Sequence, residues 1–318
     1  MSNRPEGGLG TSIFAIRLSH WELKIENWFL VIALVRACRS IPMANFQFSM
    51  LNFQSELPNL ADIAMNKMDQ LTLCRSVLDG PQLENLTLEV GARYRIIEEA
   101  RRHAPLDNLQ NVLPPGHRFV PTASSLTLGA ILSEQALESL LALLQKGPTG
   151  EWLRHQLGSL LACDVDQAWV RCQYAPGSYP PLHAPHGWHQ DGGLGFDFLS
   201  HPVGNFPSDA LVEMATCWIA LNHCGVDAPG IEFVCSKLDE LLSPSELSDE
   251  QVRQQFSSEH FWRPALTPGD ALLFRGDLLH RTYVAAHMTQ PRTSIELRFF
   301  PAERLPSRLK NDRFLILT

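Results

Sequence analysis

The stretch His183-Ala184-Pro185-His186-Gly187-Trp188-His189-Gln190-Asp191-Gly192-Gly193 decides how this chain is read. It follows a β-like run, Ala168 to Tyr174, and ends in a Gly pair. Within it, His189-Gln190-Asp191 is the only His-x-Asp in the sequence. On a strand, residues i and i+2 point to the same side, so one imidazole and one carboxylate can reach the same metal ion. His183 and His186 read as loop or pocket-lining residues rather than ligands.

A third ligand must come from elsewhere. The segment Pro268-Gly269-Asp270-Ala271-Leu272-Leu273-Phe274-Arg275-Gly276-Asp277-Leu278-Leu279-His280-Arg281-Thr282 supplies it: a turn, a buried-looking strand, then Gly-Asp, with His280 near the start of the next strand. His189, Asp191 and His280 make two imidazoles and a carboxylate, a facial ligand set that leaves metal positions open. That set is expected for a non-haem Fe(II) centre that activates O2. The open positions suit a bidentate 2-oxo acid, whose distal carboxylate needs a planar cation. Twelve residues beyond His280 stands Arg292-Thr293-Ser294, where Arg292 can clamp that carboxylate and Ser294 can add a hydrogen bond. Arg298 follows at even spacing and is the rival clamp.

The rest of the chain bounds the reading. It has 318 residues, 45% of them hydrophobic and 19% charged, the composition of a globular protein. A net charge of −8 argues against nucleic acid as a partner. The longest apolar run, Trp28 to Val35, is far short of the about 20 residues that cross a bilayer, so no membrane partner is expected. Seven Cys without a Cys-x-x-Cys read as reduced thiols of a cytoplasmic protein.

Helical patterns are expected over Trp21 to Cys38; through Leu71, Leu73, Val77 and Leu78, ending at Asp79-Gly80-Pro81; from Leu83 to His103, stopped by Pro105; from a Ser133 cap to Gly147-Pro148; and over Glu151 to Ala162. After residue 165 come short β-like runs: Ala168 to Tyr174, Ala215 to Leu221, Ile231 to Cys235, Ala271 to Phe274 and Thr293 to Phe300. The expectation is a mainly β protein with N-terminal helices: a helical support region over 1–164, an antiparallel catalytic core over 165–304 and a tail over 305–318.

His189-Gln190-Asp191, His280 and Arg292 follow in the order of the Fe(II)/2-oxoglutarate-dependent oxygenases, and the sequence most resembles the phytanoyl-CoA dioxygenase family. Tyr174-Ala175-Pro176-Gly177 resembles that family's strand-Pro-Gly element, and Trp218-Ile219-Ala220-Leu221 its central strand. Gly230-Ile231-Glu232-Phe233-Val234-Cys235-Ser236 is similar to its Gly-x-Leu-x-x-x-Pro-Gly-Ser segment. The likeness covers about residues 165–304 and implies a double-stranded β-helix (a jelly roll, cupin-like) with iron at the barrel mouth. It also implies that Fe(II), 2-oxoglutarate and O2 yield succinate, CO2 and an oxidant that takes hydrogen from a small organic substrate, with hydroxylation the usual outcome. Secondary metabolism enters by family analogy alone. An intact Asp191 disfavours halogenation, because related halogenases lack this carboxylate.

The departures from the family are local. Cys235 replaces Pro-Gly before Ser236, and Ala175 stands where members often carry Lys. Gln173 and Arg171, on the same strand face as Ala175, are the nearest substitutes for holding the co-substrate. Trp188, Trp218, Arg171, Phe196 and Arg298 are candidates for the substrate pocket. Residues 192–214 read as a lid whose Phe196, Phe198 and Phe206 point to an apolar substrate. Two other readings stand beside the oxygenase: a non-catalytic metal- or ligand-binding barrel, and a cupin-like metalloenzyme that does not use 2-oxoglutarate.

Overall fold

Helix boundaries near the start of the described chain are set by capping chemistry. The computed structural model describes residues 69–318 apart from 105, 115–116, 118–128, 179–184, 202–205, 239 and 310–311. The expected helix Trp21 to Cys38 and His183 lie outside the described residues. In chain order the elements are β1 (Leu71–Cys74), α1 (Gly80–His103), α2 (Leu106–Val112), β2 (Gly129–Ile131), α3 (Glu134–Leu144), α4 (Gly147–Leu157), β3 (Leu161–Asp164) and β4 (Trp169–Gln173). They continue with β5 (Ala215–Ala220), β6 (Gly230–Val234), α5 (Asp249–Gln255), β7 (Phe261–Trp262), β8 (Ala271–Arg275), β9 (His280–Tyr283), β10 (Arg292–Pro301) and β11 (Phe314–Leu317). The described residues all fall within one unit, Pro58–Thr318.

At the start of α1, Asp79 accepts from the Gln82 backbone N–H at 3.0 Å, and the Gln82 side chain accepts from the Asp79 N–H at 3.2 Å. This reciprocal cap, with Pro81 in the first turn, starts the helix. Asp79-Gly80-Pro81 therefore opens a helix where the sequence reading closed one. The residues before it, Leu71–Cys74, are a strand paired with β8 rather than an amphipathic helix. Leu71 and Leu73 alternate with Thr72 and Cys74 at period two, which serves a sheet neighbour about 200 residues away. Gly147-Pro148 likewise begins α4, and Leu161–Asp164 leaves the expected helix to become β3. The Ser133 cap of α3 and all five expected strands after 165 are where the sequence places them, within a residue or two.

The strands form two antiparallel sheets. The larger runs β1-β8-β5-β10-β3-β11, with β4 also paired to β10 and β2 to β4; the smaller is β7-β6-β9. The sheet therefore draws strands from both sides of the expected core. β1, β2 and β3 come from the region assigned to helical support, and β11 comes from the expected tail. A boundary at 165 or 304 would cut hydrogen-bonded ladders: β3 pairs with both β10 and β11.

β10 shows how the sheet separates its two faces. Ile295, Leu297 and Phe299 are fully buried in a cluster with Leu137, Leu141 and Leu153 of the helices. Each such side chain contributes about 1.5–3 kcal/mol. The alternate residues Arg292, Ser294, Glu296 and Arg298 face the other way, toward the interval between the sheets. Deeper in that interval Trp218, Leu272, Phe274, Ile231 and Phe233 pack together, with Phe233 edge-on to Phe274 at 5.1 Å. A strand that buries apolar residues on one side and charged ones on the other needs polar partners on the charged side, since a buried charge without a partner is costly. Helix α1 fixes β4 against this strand: Tyr94 Oη donates to the Val170 carbonyl at 2.9 Å and accepts from the Cys172 N–H at 2.6 Å.

Pro268-Gly269-Asp270 is a structural turn. The buried Asp270 carboxylate accepts from the N–H groups of Ser76 and Thr267 and from Arg75 Nη1, at 2.7–3.0 Å. Gly269 has φ +89°, and a Cβ there would lie 2.8 Å from the Leu78 carbonyl.

Candidate metal centre

His189, Asp191 and His280 converge at one end of the interval between the sheets, with ligand atoms within 4.8 Å of one another. His189 and His280 face each other in a short bridge, their N–H groups donating to each other's carbonyls at 2.9 and 3.0 Å. His189 Nδ1 lies 2.7 Å from the Gly187 carbonyl, and His280 Nδ1 lies 2.9 Å from the Leu278 carbonyl. A carbonyl can only accept, so each Nδ1 carries its proton and each Nε2 keeps its lone pair for a metal. These Nε2 atoms sit 3.6 and 3.9 Å from the two Asp191 oxygens. The residues therefore fit a divalent ion: three donors of the right kind, two of them pre-oriented, close enough to share one centre.

Asp191 is buried and held on both oxygens. Thr216 Oγ1 donates to Oδ2 at 2.6 Å, and Arg298 Nη2 donates to Oδ1 at 3.2 Å. The next residue, Gly192, lies where a Cβ would come within 2.6 Å of Leu211 Cδ1 and 2.9 Å of the Gly276 carbonyl. The Gly after His-x-Asp is thus required by the close approach of the loop that leads to His280. Burial alone would raise the Asp191 pKa, but Arg298, His280 and His189 overcome it and hold the carboxyl well below its ordinary range. Burial, then the neighbouring His189, pull the His280 pKa down to about 4. Burial, with Arg171 and His189, takes His186 to about 2.

These shifts set an acid sensitivity. In the unfolded chain the His280 imidazole takes up a proton near pH 6.5, but in the folded protein only near about 4. Between those values the unfolded state binds more protons, so folding weakens as pH falls. The loss for this group is about 3 kcal/mol. Asp191 adds in the same direction only below about pH 4, where the unfolded carboxyl takes up its proton and the folded one does not. Urea denaturation of the metal-free protein is expected to give a lower midpoint at pH 4.5 than at pH 7. Equal midpoints would contradict the assignment of His280 as a buried neutral imidazole.

The triad opens onto a cavity of about 540 Å³, whose walls include Trp169, Arg171, Gln173, His186, Trp218, Arg292, Glu296 and Arg298. Of the sequence candidates, Gln173, Arg171, Trp218, Arg292 and Arg298 line it together with the three ligands. Gln173 is directly across the ladder from Arg292, and Arg171 across from Ser294. The two arginines of β10 differ in occupation. Arg298 donates to Asp191 through Nη2, while its Nε and Nη1 are buried without a hydrogen-bond partner among the described residues. Arg292 is buried, donates to the Gly230 carbonyl at 3.2 Å and lies over the Trp218 ring. Its Nε and the Ser294 Oγ are buried without a hydrogen-bond partner among the described residues. Ser294 neighbours the cavity wall without forming part of it.

Two candidates sit elsewhere. Trp188 packs with Val234, Val252 and Leu279 and donates to Asp249, with Arg281 over its ring. It does not line the cavity. Phe196, Phe198 and Phe206 pack edge-on against one another, 5.0–5.8 Å between centroids, and Phe196 is likewise off the cavity wall. The three rings satisfy one another, so the apolar-substrate expectation drawn from them loses its basis. Sequence reasoning missed Thr216 and Glu296. Both were reachable from period two: Thr216 is two residues before Trp218, and Glu296 is between Ser294 and Arg298 on the inward face. Glu296 pairs with Arg171 at 2.8 Å inside the cavity.

No family model matches this chain, and no curated protein sequence matches it. Among solved structures, it is similar to EctD from S. alaskensis with bound Fe, at a TM-score of 0.51 and 13% identity, covering 79% of each chain. The fold is a double-stranded β-helix. The structure of EctD from S. alaskensis with 2-oxoglutarate and 5-hydroxyectoine gives the same TM-score and identity, covering 79% of this chain and 78% of that one. The epimerase SnoN in complex with Fe3+, alpha ketoglutarate and nogalamycin RO matches at a TM-score of 0.45 and 16% identity, over 76% of this chain and 83% of that chain. Among the described residues no helix is long and apolar enough to cross a membrane.

Proposed function

We propose that this double-stranded β-helix is a non-haem Fe(II)- and 2-oxoglutarate-dependent oxygenase that oxidises, by hydroxylation, a small organic substrate. Membership of the phytanoyl-CoA dioxygenase family is part of this proposal and rests only on the motif likeness of His189-Gln190-Asp191, His280 and Arg292. One observation carries the reading: a two-His, one-carboxylate set shares a cavity with Arg292, a buried guanidinium that among the described residues has no carboxylate within hydrogen-bond range, Glu296 acting on it only at longer range. A neutral small molecule would leave that buried cation without a direct anionic partner, balanced only by Glu296 at longer range and the Trp218 ring; a dicarboxylate that chelates the metal at one end pairs with it at the other. Solved structures with this fold that hold Fe and 2-oxoglutarate support the same reading.

His189, Asp191 and His280 hold the metal, which when bound supplies dioxygen activation. Arg292, with Ser294 beside it on β10 and Gln173 across the ladder, holds the distal carboxylate of 2-oxoglutarate. Arg298 and Thr216 fix both oxygens of Asp191 and keep it ionised. The catalytic unit runs from β1 to β11, because both ends of that range are strands of the sheet that carries Arg292. The six described cysteines are free thiols, in keeping with a reducing compartment such as the cytoplasm.

The direct test is anaerobic. Adding 2-oxoglutarate to Fe(II)-loaded protein is expected to produce the weak visible charge-transfer band of a metal-chelated 2-oxo acid, and admitting air should then release succinate. A metal-bound protein that gives no band would favour a metalloenzyme that does not use 2-oxoglutarate. A protein that binds no metal would favour a non-catalytic barrel.

A further inference from the structure

The geometry points to Arg308 as a positioning residue that ties the stretch leaving the metal centre, 192–194, to the stretch returning to β5, 209–210, and so braces the cavity wall beside Asp191. The excursion between them leaves the metal centre at Gly192-Gly193-Leu194, and its return strand is β5, which carries Thr216 and Trp218. Gly193 and Leu194 line the cavity. Arg308 comes from the segment after β10, outside every motif of the site.

Its guanidinium is shared across the two stems. On the outgoing stem, Nε donates to the Leu194 carbonyl at 2.7 Å and Nη2 to the Gly192 carbonyl at 3.2 Å. On the returning stem, Nη2 donates to the Ala210 carbonyl at 2.6 Å and Nη1 to the Asp209 carbonyl at 2.8 Å. Four backbone acceptors on one planar fork is an arrangement that a lysine ammonium cannot reproduce. The same segment adds a second attachment, with Arg304 paired to Glu213 at 2.9 Å. Leu309 also packs in a cluster with Leu194, Val212 and Met214. The Arg308 guanidinium further lies 5.9 Å from the Phe196 ring centroid.

The consequence reaches the metal. Gly192 is joined to Asp191 and is held from two sides, its N–H on the Gly276 carbonyl at 2.7 Å and its carbonyl under Arg308. Without Arg308 the stems keep only the Val212 N–H to Gly192 carbonyl bond at 2.8 Å and the packing of Leu194 on Val212 and Met214, so the wall formed by Gly193 and Leu194 parts more easily from the returning stem. For its bearing on catalysis the inference rests on the oxygenase reading; the anchoring itself does not.

Limited proteolysis with chymotrypsin tests it, because Phe196, Phe198, Leu199 and Phe206 offer cleavage sites within the excursion. Arg308→Ala is expected to be cut there about tenfold faster than wild type, as local opening becomes easier. Arg308→Lys should be cut nearly as fast, and low millimolar guanidinium should slow the cutting of Arg308→Ala by refilling the anchor. Should Arg308→Ala fail to fold, Arg308→Lys carries the test, since it keeps the charge and most of the packing. Wild-type resistance in the folded variants overturns the inference. Lack of the metal–2-oxoglutarate band in wild type would sink the oxygenase reading and leave this one standing, since proteolysis needs no metal.

Discussion

Replacing Asp191 with alanine is expected to weaken Fe(II) binding by more than about 100-fold, beyond the 10–100-fold typical when only an outer partner of a ligand is lost. The substitution removes the only anionic member of the triad. It also strips Arg298, which is buried, of its carboxylate partner. Leaving that cation uncompensated is expected to cost about 3–5 kcal/mol in the metal-free protein. The two effects separate by a second change: Asp191→Ala combined with Arg298→Met should recover most of the stability and none of the metal binding. Anaerobic Fe(II) titration and urea denaturation read the two quantities. Wild-type metal affinity in Asp191→Ala would remove this carboxylate from the site.

Truncating Arg292 produces the second large effect. Arg292→Ala is expected to weaken 2-oxoglutarate binding by about 100-fold or more, the range for cutting one member of a buried charge pair. Fe(II) binding should stay near wild type, because Arg292 touches none of the three ligands. Stability should hold or rise, since burial depresses the Arg292 pKa and the Glu296 carboxylate opposes it only in part. Arg292→Lys should fall between, with the charge kept and the planar fork lost. Arg298→Ala should give the opposite profile, weakening the metal more than the co-substrate. Anaerobic titration of the charge-transfer band with 2-oxoglutarate measures all three variants; a band that saturates normally in Arg292→Ala and fails in Arg298→Ala would exchange the two roles.

What the sequence could say followed from how local the cause was. His189 and Asp191 are two residues apart, and His280 opens a strand announced by an apolar run, so the triad is legible from spacing. So are the strands over 215–220, 230–234 and 292–301, each a run of β-formers between turn residues. The rivalry between Arg292 and Arg298 was not legible, because both fall on the inward face; contact with Asp191 separates them, and that contact spans 107 positions. β1 and β3 were missed for the same reason. Four residues such as Leu161–Asp164 carry little preference of their own and become a strand because β10 and β11 flank them. Asp79-Gly80-Pro81 and Gly147-Pro148 show a different error: Gly and Pro mark a boundary without saying which side of it is helical. The aromatic excursion was legible as residues but not as a role, since its three rings face one another.

The pairing of Phe314–Leu317 with Leu161–Asp164 has a bearing on synthesis. The β3 ladders need Pro301 and Leu317, which leave the ribosome 140 and 156 positions after Leu161, and β1 waits about 200 positions for β8. Nascent chains therefore expose unsatisfied strand edges for most of translation, and the iron pocket assembles only after elongation has passed Arg292. Strands that wait this long are exposed to mispairing during production, so expression at low temperature with chaperones in excess is expected to raise the native yield, as measured by soluble protein recovered.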